Sequence, residues 1–220
     1  ACGKDAGDWM FGGASYQIIN NAIDVAAYTY DPTKRQEMRR QLGLTGELVI
    51  GHVGRFNPQK NHPFLLDIFA ALLKKEPNAA LLLVGGGADM PKARAKAQEL
   101  GIAERVRFLG VRSDVADLMQ TMDVFVFPSL YEGLPVTMVE AQASGLPCII
   151  SDKVPPECIL TEELVNIMPL SANPAAWAEK ILAMRAISRA DRRAEIAAHG
   201  FDITTEAVKL QEFYIKSVEK

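Results

Sequence analysis

Between residues 48 and 169, short apolar runs alternate with helical patterns, and this rhythm constrains the fold more than any other feature of the chain. The runs are LVIGHVG (48–54), AALLLVG (79–85), VRFLG (106–110), DVFVFP (123–128), PCIIS (147–151) and VNIMP (165–169), with YQII (16–19) as an earlier candidate. Stretches such as LLLV and VFVF are apolar at every position, so they need cover on both faces. Helical patterning falls at PTKRQEMRRQL (32–42), HPFLLDIFAALLKKE (62–76), PKARAKAQELG (91–101), DVADLMQTM (114–122) and VTMVEAQASG (136–145). Repeated β–α alternation predicts right-handed crossovers and an α/β fold, a doubly wound Rossmann-like parallel sheet with helices on both faces. No Pro/Gly/Ser linker interrupts it, so this stretch reads as one domain. A helical C-terminal segment follows, over 174–188, 189–200 and 204–219, with Gly200 as a C-cap for the second helix. At the other end, CGKDAGDWMFG reads as a helix end and IINNAID as a strand-to-loop transition.

A formal net charge of −3 argues against nucleic acid as the main partner. No apolar run approaches the ~18 residues that span a bilayer. The first residues, ACGKDAGDW, lack a basic region followed by an apolar one, so no secretory leader is expected there. The cysteines, Cys2, Cys148 and Cys158, are odd in number and lack CxxC spacing, which argues against a disulfide framework or a zinc site. Cys148, in LPCII, reads as a small core residue, and a reducing cytoplasm is the compartment expected.

Open α/β sheets bind ligands beyond the carboxyl ends of their strands. After LVIGHVG comes RFNPQKNH, where Gly54 allows close backbone approach and Arg55 and Lys60 place two cations in one loop. Two cations match the charge of a diphosphate without a metal. After the fourth of the strands from residue 48 on, YEGLP leads into a helix, with Glu132 on the loop and Glu140 eight positions later on the helix. Free amides at that helix start favour an anion, and carboxylates pair with sugar hydroxyls. A nucleotide-sugar satisfies both. The competing reading makes Arg55 and Lys60 solvated surface residues and the two acids partners of a helix dipole. A two-carboxylate glycoside hydrolase is the chemical rival, but a nucleoside diphosphate leaves without acid assistance and calls for the cationic loop.

Other residues carry less. His52 reads as a hydrogen-bonded structural residue, and His199 as a surface residue. Asn61 reads as an N-cap, with His62 and Pro63 opening the helix. Gly85-Gly86-Gly87 does not complete a dinucleotide fingerprint, since Met90 stands where the third glycine belongs, so a flexible loop is expected.

Taken in order, IINNAID, HVGRFNPQKNH, LLLVGGG, VRFLGVRSDV and FVFPSLYEGLPVTMVEAQASGLPCIISD resemble the retaining glycosyltransferases of family 4, which have the two-domain GT-B fold. More narrowly, the chain is similar to bacterial capsule and exopolysaccharide glycosyltransferases. The resemblance implies that Arg55 and Lys60 bind the donor diphosphate and that Glu132 and Glu140 form the Glu-x7-Glu motif, the second acid on the ribose. Arg55, Lys60 and Glu132 form the implied catalytic set. Gly54, the backbone around Gly133, Leu134, Pro135 and Val136, and the Val111–Arg112 loop near the base complete the implied donor site. The family transfers sugar with retention and needs neither cofactor nor metal for the chemistry; covalent and same-face routes both stay open. The implied donor is UDP-linked, and the acceptor is a lipid-linked or other saccharide held by an N-terminal domain. By that likeness residues 1–30 are the remnant of the N-terminal domain and the interdomain connection, and 31–220 the nucleotide-sugar-binding domain, the acceptor domain being absent. The expected place is the cytoplasm, peripheral at the inner face of the plasma membrane. Two alternatives stay open: a nucleotide-sugar epimerase of similar architecture, and a non-catalytic binding module.

Overall fold

The computed structural model describes residues 1 and 3–218; Cys2, and Glu219 at the end of the last expected helix, lie outside the described residues. Six parallel strands form one sheet: β1 (Leu48–Val53), β2 (Ala79–Val84), β3 (Val106–Gly110), β4 (Val124–Phe127), β5 (Cys148–Ser151) and β6 (Val165–Met168). Their order is β3-β2-β1-β4-β5-β6. Each strand expected between 48 and 169 is present to within one residue at either end.

The helices are α1 (Lys4–Phe11), α2 (Val25–Tyr28), α3 (Pro32–Gln41), α4 (His62–Leu73), α5 (Met90–Glu99), α6 (Val115–Thr121), α7 (Val136–Ala143), α8 (Pro174–Met184), α9 (Arg193–Ala198) and α10 (Ile203–Val218). Local chemistry sets several starts. Asp31 accepts from the amides of Thr33 and Lys34 ahead of Pro32, and Asn173 accepts from the amide of Ala176 ahead of Pro174.

Every residue of β2 and β4 is buried, as two-sided cover requires. On one face Leu65 and Phe69 of α4, Ala97 of α5 and Trp177 of α8 pack against Ile50 and Val126. On the other, Leu118 and Met119 of α6 and Met138 of α7 pack against Val49 and Phe125, with Met38 of α3 at the margin. Each large side chain so buried contributes about 1.5–3 kcal/mol. Cys148 and Cys158 are free and buried, Cys148 within β5 as a small core residue.

Three expectations need correction. The YQII run forms no strand; the Tyr16 hydroxyl instead donates to Asp8 Oδ1 at 2.6 Å, and Gln17–Ile19 line a cleft with Leu210 and Phe213 of α10, leaving Ile18 exposed. The helix expected over 189–200 shrinks to α9. Its start is set by Asp191, whose carboxylate accepts from the Arg193 amide, while Arg189 is drawn inward to bond backbone carbonyls. The glycine triplet is not a flexible loop. The Gly54 amide bonds Val84 O at 2.9 Å, the Phe56 amide bonds Gly86 O at 2.8 Å, and the Gly85 amide bonds Gly110 O at 2.8 Å. Gly85 has φ +137°, and a Cβ there would lie 2.0 Å from the carbonyl oxygen of Gly54. Two loop backbones touch, and only glycine fits. Gly85→Ala is expected to cost about 3 kcal/mol from backbone strain and overpacking. A urea melt with an unchanged midpoint would refute that packing account.

Candidate active site

The strand order reverses between β1 and β4, because β1, β2 and β3 run outward to one side and β4, β5 and β6 to the other. The β1–β4 ladder comprises only Ile50–Val124 and Gly51–Phe125. Beyond it the two strands feed separate loops, leaving the crevice where such folds bind ligands. The His52 ring fills the space where the ladder stops. It is fully buried, bonds the Val126 carbonyl through Nδ1 at 2.9 Å, and stacks 5.5 Å from Phe127. The expectation of a hydrogen-bonded structural histidine holds. Burial holds the imidazole pKa well below its usual value, with neighbouring His62 acting in the same direction. His62 is buried against Phe56, rings 3.9 Å apart, and burial first and Lys60 second push its pKa down to about 4.

The loops after β1 and β4 are tied together. The Leu130 amide donates to Gln59 O at 2.8 Å, and Gln59 Nε2 donates to Tyr131 O at 3.1 Å. Asn61 stands at the N-cap position of α4, but its side chain caps nothing there. Its backbone is left-handed, φ 53°, and its Nδ2 donates to Pro128 O at 3.1 Å, a third tie between the loops. The local reading of Asn61 as a side-chain cap is therefore corrected: a long-range acceptor wins.

These ties bring Lys60 and Glu132 into direct contact. Lys60 Nζ donates to Glu132 Oε1 at 2.7 Å, Gln59 Nε2 donates to Oε2 at 3.0 Å, and the Glu132 side chain is only 6% exposed. Lys60 Nζ also sits 4.5 Å above the Phe127 ring centroid, a second source of cation stabilisation. The stem of Lys60 lies over Gly54, where a Cβ would come within 3.3 Å of it and 2.9 Å from His52 Nε2. The space that Gly54 leaves is thus taken by protein side chains. Arg55 in the same loop is exposed, and its side chain has no hydrogen bond or ion pair among the described residues. One cation is paired and the other unpaired.

The β4 loop continues into α7. The amides of Gly133, Leu134, Val136 and Thr137 donate to no acceptor among the described residues, and Pro135, at the N-cap, has none to offer. Successive unbonded amides at a helix start make an anion cradle. Glu140, one turn along α7, is half-buried and accepts from the Tyr28 hydroxyl at 2.7 Å. Burial raises its pKa, and the Tyr28 bond opposes that rise. The two acids of the motif thus have different surroundings: Glu132 is held by Lys60 and Gln59, Glu140 by Tyr28. On the loop after β3, Val111 is 83% exposed and lies against Gly86, while Arg112 forms a two-point pair with Asp114, Nε to Oδ1 at 2.8 Å and Nη2 to Oδ2 at 2.5 Å.

Sequence reading missed Gln59 and Tyr28. Gln59 meets Glu132 across 73 positions and Tyr28 meets Glu140 across 112, and nothing local to either marks the contact.

A doubly wound sheet with a cationic loop and an acid-bearing helix start on either side of its reversal makes an anion-binding crevice flanked by two carboxylates. The model for the family "Glycosyl transferases group 1" matches residues 47–186, and the chain belongs to that family. Among curated relatives it is 38% identical, over 100% of its own length and 60% of the relative's, to EpsF of Bacillus subtilis (strain 168), a glycosyltransferase by name. It is 28% identical, over 91% of its length and 54% of the relative's, to the UDP-Gal:alpha-D-GlcNAc-diphosphoundecaprenol alpha-1,3-galactosyltransferase of Escherichia coli. The chain thus spans little more than half the length of these relatives. Its fold matches Anabaena HepE, solved with UDP and glucose, at a TM-score of 0.76 and 22% identity over 90% of this chain and 56% of that one. A C-terminal domain of a glycosyl transferase group 1 protein from Francisella tularensis, crystallised by itself, matches at a TM-score of 0.65 and 23% identity over 84% of this chain and 97% of that one.

Proposed function

We propose that this chain is the nucleotide-sugar-binding half of a retaining glycosyltransferase that moves a sugar from a UDP-sugar to a polysaccharide precursor. One observation carries the reading. The strand-order reversal sets Lys60 against Glu132, with Arg55 exposed in the same loop, and the β4 loop runs straight on to four unbonded amides and Glu140. In this reading the amides at the start of α7, with Arg55 and Lys60, hold the donor diphosphate and take up its charge as the glycosidic bond breaks. Positive charge at that point comes from the protein, and neither metal nor cofactor is assigned a part in the step. Gly54 and the Val111–Arg112 loop flank the nucleoside, Glu140 takes the ribose diol and Glu132 a hydroxyl of the transferred sugar.

Both oxygens of Glu132 are already engaged, one by a cation, which supports binding and electrostatic work over nucleophilic attack. Same-face departure and attack, assisted by the donor phosphate, then fits retention. The printed name of the Escherichia coli relative supports a UDP donor and a lipid-diphosphate acceptor, and the bound UDP of HepE supports the nucleotide. In this reading residues 1–30 are the remnant of the N-terminal domain and the interdomain connection, 31–220 the donor domain, and the acceptor is held by the further length that the relatives possess. A lipid-linked acceptor sets the work in the cytoplasm at the inner membrane face; among the described residues no helix is long and apolar enough to cross a membrane.

Calorimetric titration tests the reading: UDP binds this chain weakly, and Glu140→Ala weakens UDP binding about tenfold while leaving pyrophosphate binding within twofold, as loss of a charged hydrogen bond to ribose requires. Equal losses for the two ligands would remove the ribose assignment, and no UDP binding at millimolar concentration would remove the whole reading.

A further inference from the structure

We infer that Tyr28 is a positioning residue for the donor ribose, its phenol fixing the Glu140 carboxylate so that one oxygen stays open to a vicinal diol. This rests on the reading of Glu140 as the ribose acid. The Tyr28 hydroxyl donates to Glu140 Oε1 at 2.7 Å, and Oε2 has no partner among the described residues. The terminal torsion of a glutamate is broad, so one strong bond decides which way the carboxylate faces.

The phenol is itself held in advance of any ligand. Gln120, fully buried, donates through Nε2 to Tyr28 O at 3.2 Å and to Thr29 O at 3.4 Å, and accepts the Asp31 amide at 3.1 Å. Asp24 caps α2 through the Ala27 amide at 3.2 Å, and Thr29 Oγ1 donates to Val25 O at 3.0 Å. The Tyr28 ring packs where two apolar clusters meet, one containing Met138 and the other Val139 of α7. Phenylalanine would serve that packing equally well, so the hydroxyl has a separate use, and the Glu140 carboxylate is the acceptor it is given.

The electrostatics agree. Burial disfavours the charged form of Glu140, and the phenol bond favours it. No cation pairs with Glu140 among the described residues, and Asp24, whose charge acts on the phenol, is the other acid nearby. The Tyr28 bond therefore favours the ionised, accepting form of Glu140 that two ribose hydroxyls need.

Tyr28→Phe tests this with the ring retained. UDP affinity is expected to fall about fivefold, the effect of one positioned hydrogen bond, with pyrophosphate affinity within twofold. The Glu140 carboxyl, followed by carbon NMR in the ligand-free chain, is expected to titrate at higher pH. In a Glu140→Gln background, Tyr28→Phe should have no further effect on UDP. An unmoved Glu140 titration, or the same UDP loss in the Glu140→Gln background, overturns the role of Tyr28. If Glu140→Gln alone leaves UDP affinity intact, it is the ribose reading that fails, while the NMR result still judges the Tyr28–Glu140 coupling.

Discussion

Replacing Lys60 by methionine is expected to weaken UDP and pyrophosphate binding about 30-fold, the loss of one charge-assisted hydrogen bond to a phosphate. If the proposed transfer holds, the same change in a full-length protein should also lower kcat/KM, because negative charge builds on the diphosphate as the glycosidic bond breaks. A stability loss accompanies it. Glu132, 6% exposed, would keep Gln59 but lose its cation, and breaking one side of a buried pair costs about 3 kcal/mol. The two effects separate in Lys60→Met/Glu132→Gln, where the amide needs no cation: the urea midpoint should recover while pyrophosphate binding should not. Recovery of binding in the double variant would mean that Lys60 acts only as a partner for Glu132. That outcome would remove the diphosphate role.

The second large effect lies away from the crevice. Arg189 gathers the C-terminal ends of two helices: Nη1 bonds the carbonyls of Met119, Gln120 and Met122 at 3.0–3.1 Å, and Nε and Nη2 bond Ser144 O at 3.1 and 2.6 Å. The Tyr30 ring covers it at 4.5 Å. Burial, helped by nearby Arg35, pushes its pKa down to about 9, still well above neutrality, so the group is charged where it works. Its charge meets the negative ends of α6 and α7 together. Arg189→Met leaves Ser144 O without a donor, while Gln120 O and Met122 O keep Arg35 and Met119 O keeps the Met122 amide, and is expected to cost about 3 kcal/mol of unfolding free energy. Arg189→Lys should recover less than half, since an ammonium lacks the planar fork. Equal urea midpoints for Arg189→Met and the unaltered chain would contradict this picture.

How much of this could be read in advance follows from the range of each interaction. The central strands β2 and β4 were legible because burial on both faces leaves an uninterrupted apolar run such as LLLV, and the less buried edge strands β3 and β6 because their short apolar runs keep the same alternation with helices. The site loops were legible as types of residue: cations after β1, acids around the start of α7. Their pairing was not. Local spacing set Lys60 to wait for phosphate and Glu132 for sugar, whereas the fold first gives each to the other. Asn61 has the composition of a cap, yet a carbonyl 67 positions away claims its amide. YQII has strand composition, but pairing depends on a sheet edge, and no property of four residues tells whether one lies alongside. The glycine triplet shows the same limit: composition suggests mobility, and the contact with Gly54 O turns it into a point of close backbone packing.

His52 has a consequence of its own. The β1–β4 ladder ends after two pairs, and the next step across the sheet is bridged by an imidazole reaching Val126 O at 2.9 Å. The ring acts as a wedge, so the gape between the two loops is fixed by the span of one side chain. A shorter residue at this position would let the strands zip further and narrow the mouth, while a longer one would splay it. The width of this crevice is thus tied to a buried residue behind the loops that line it.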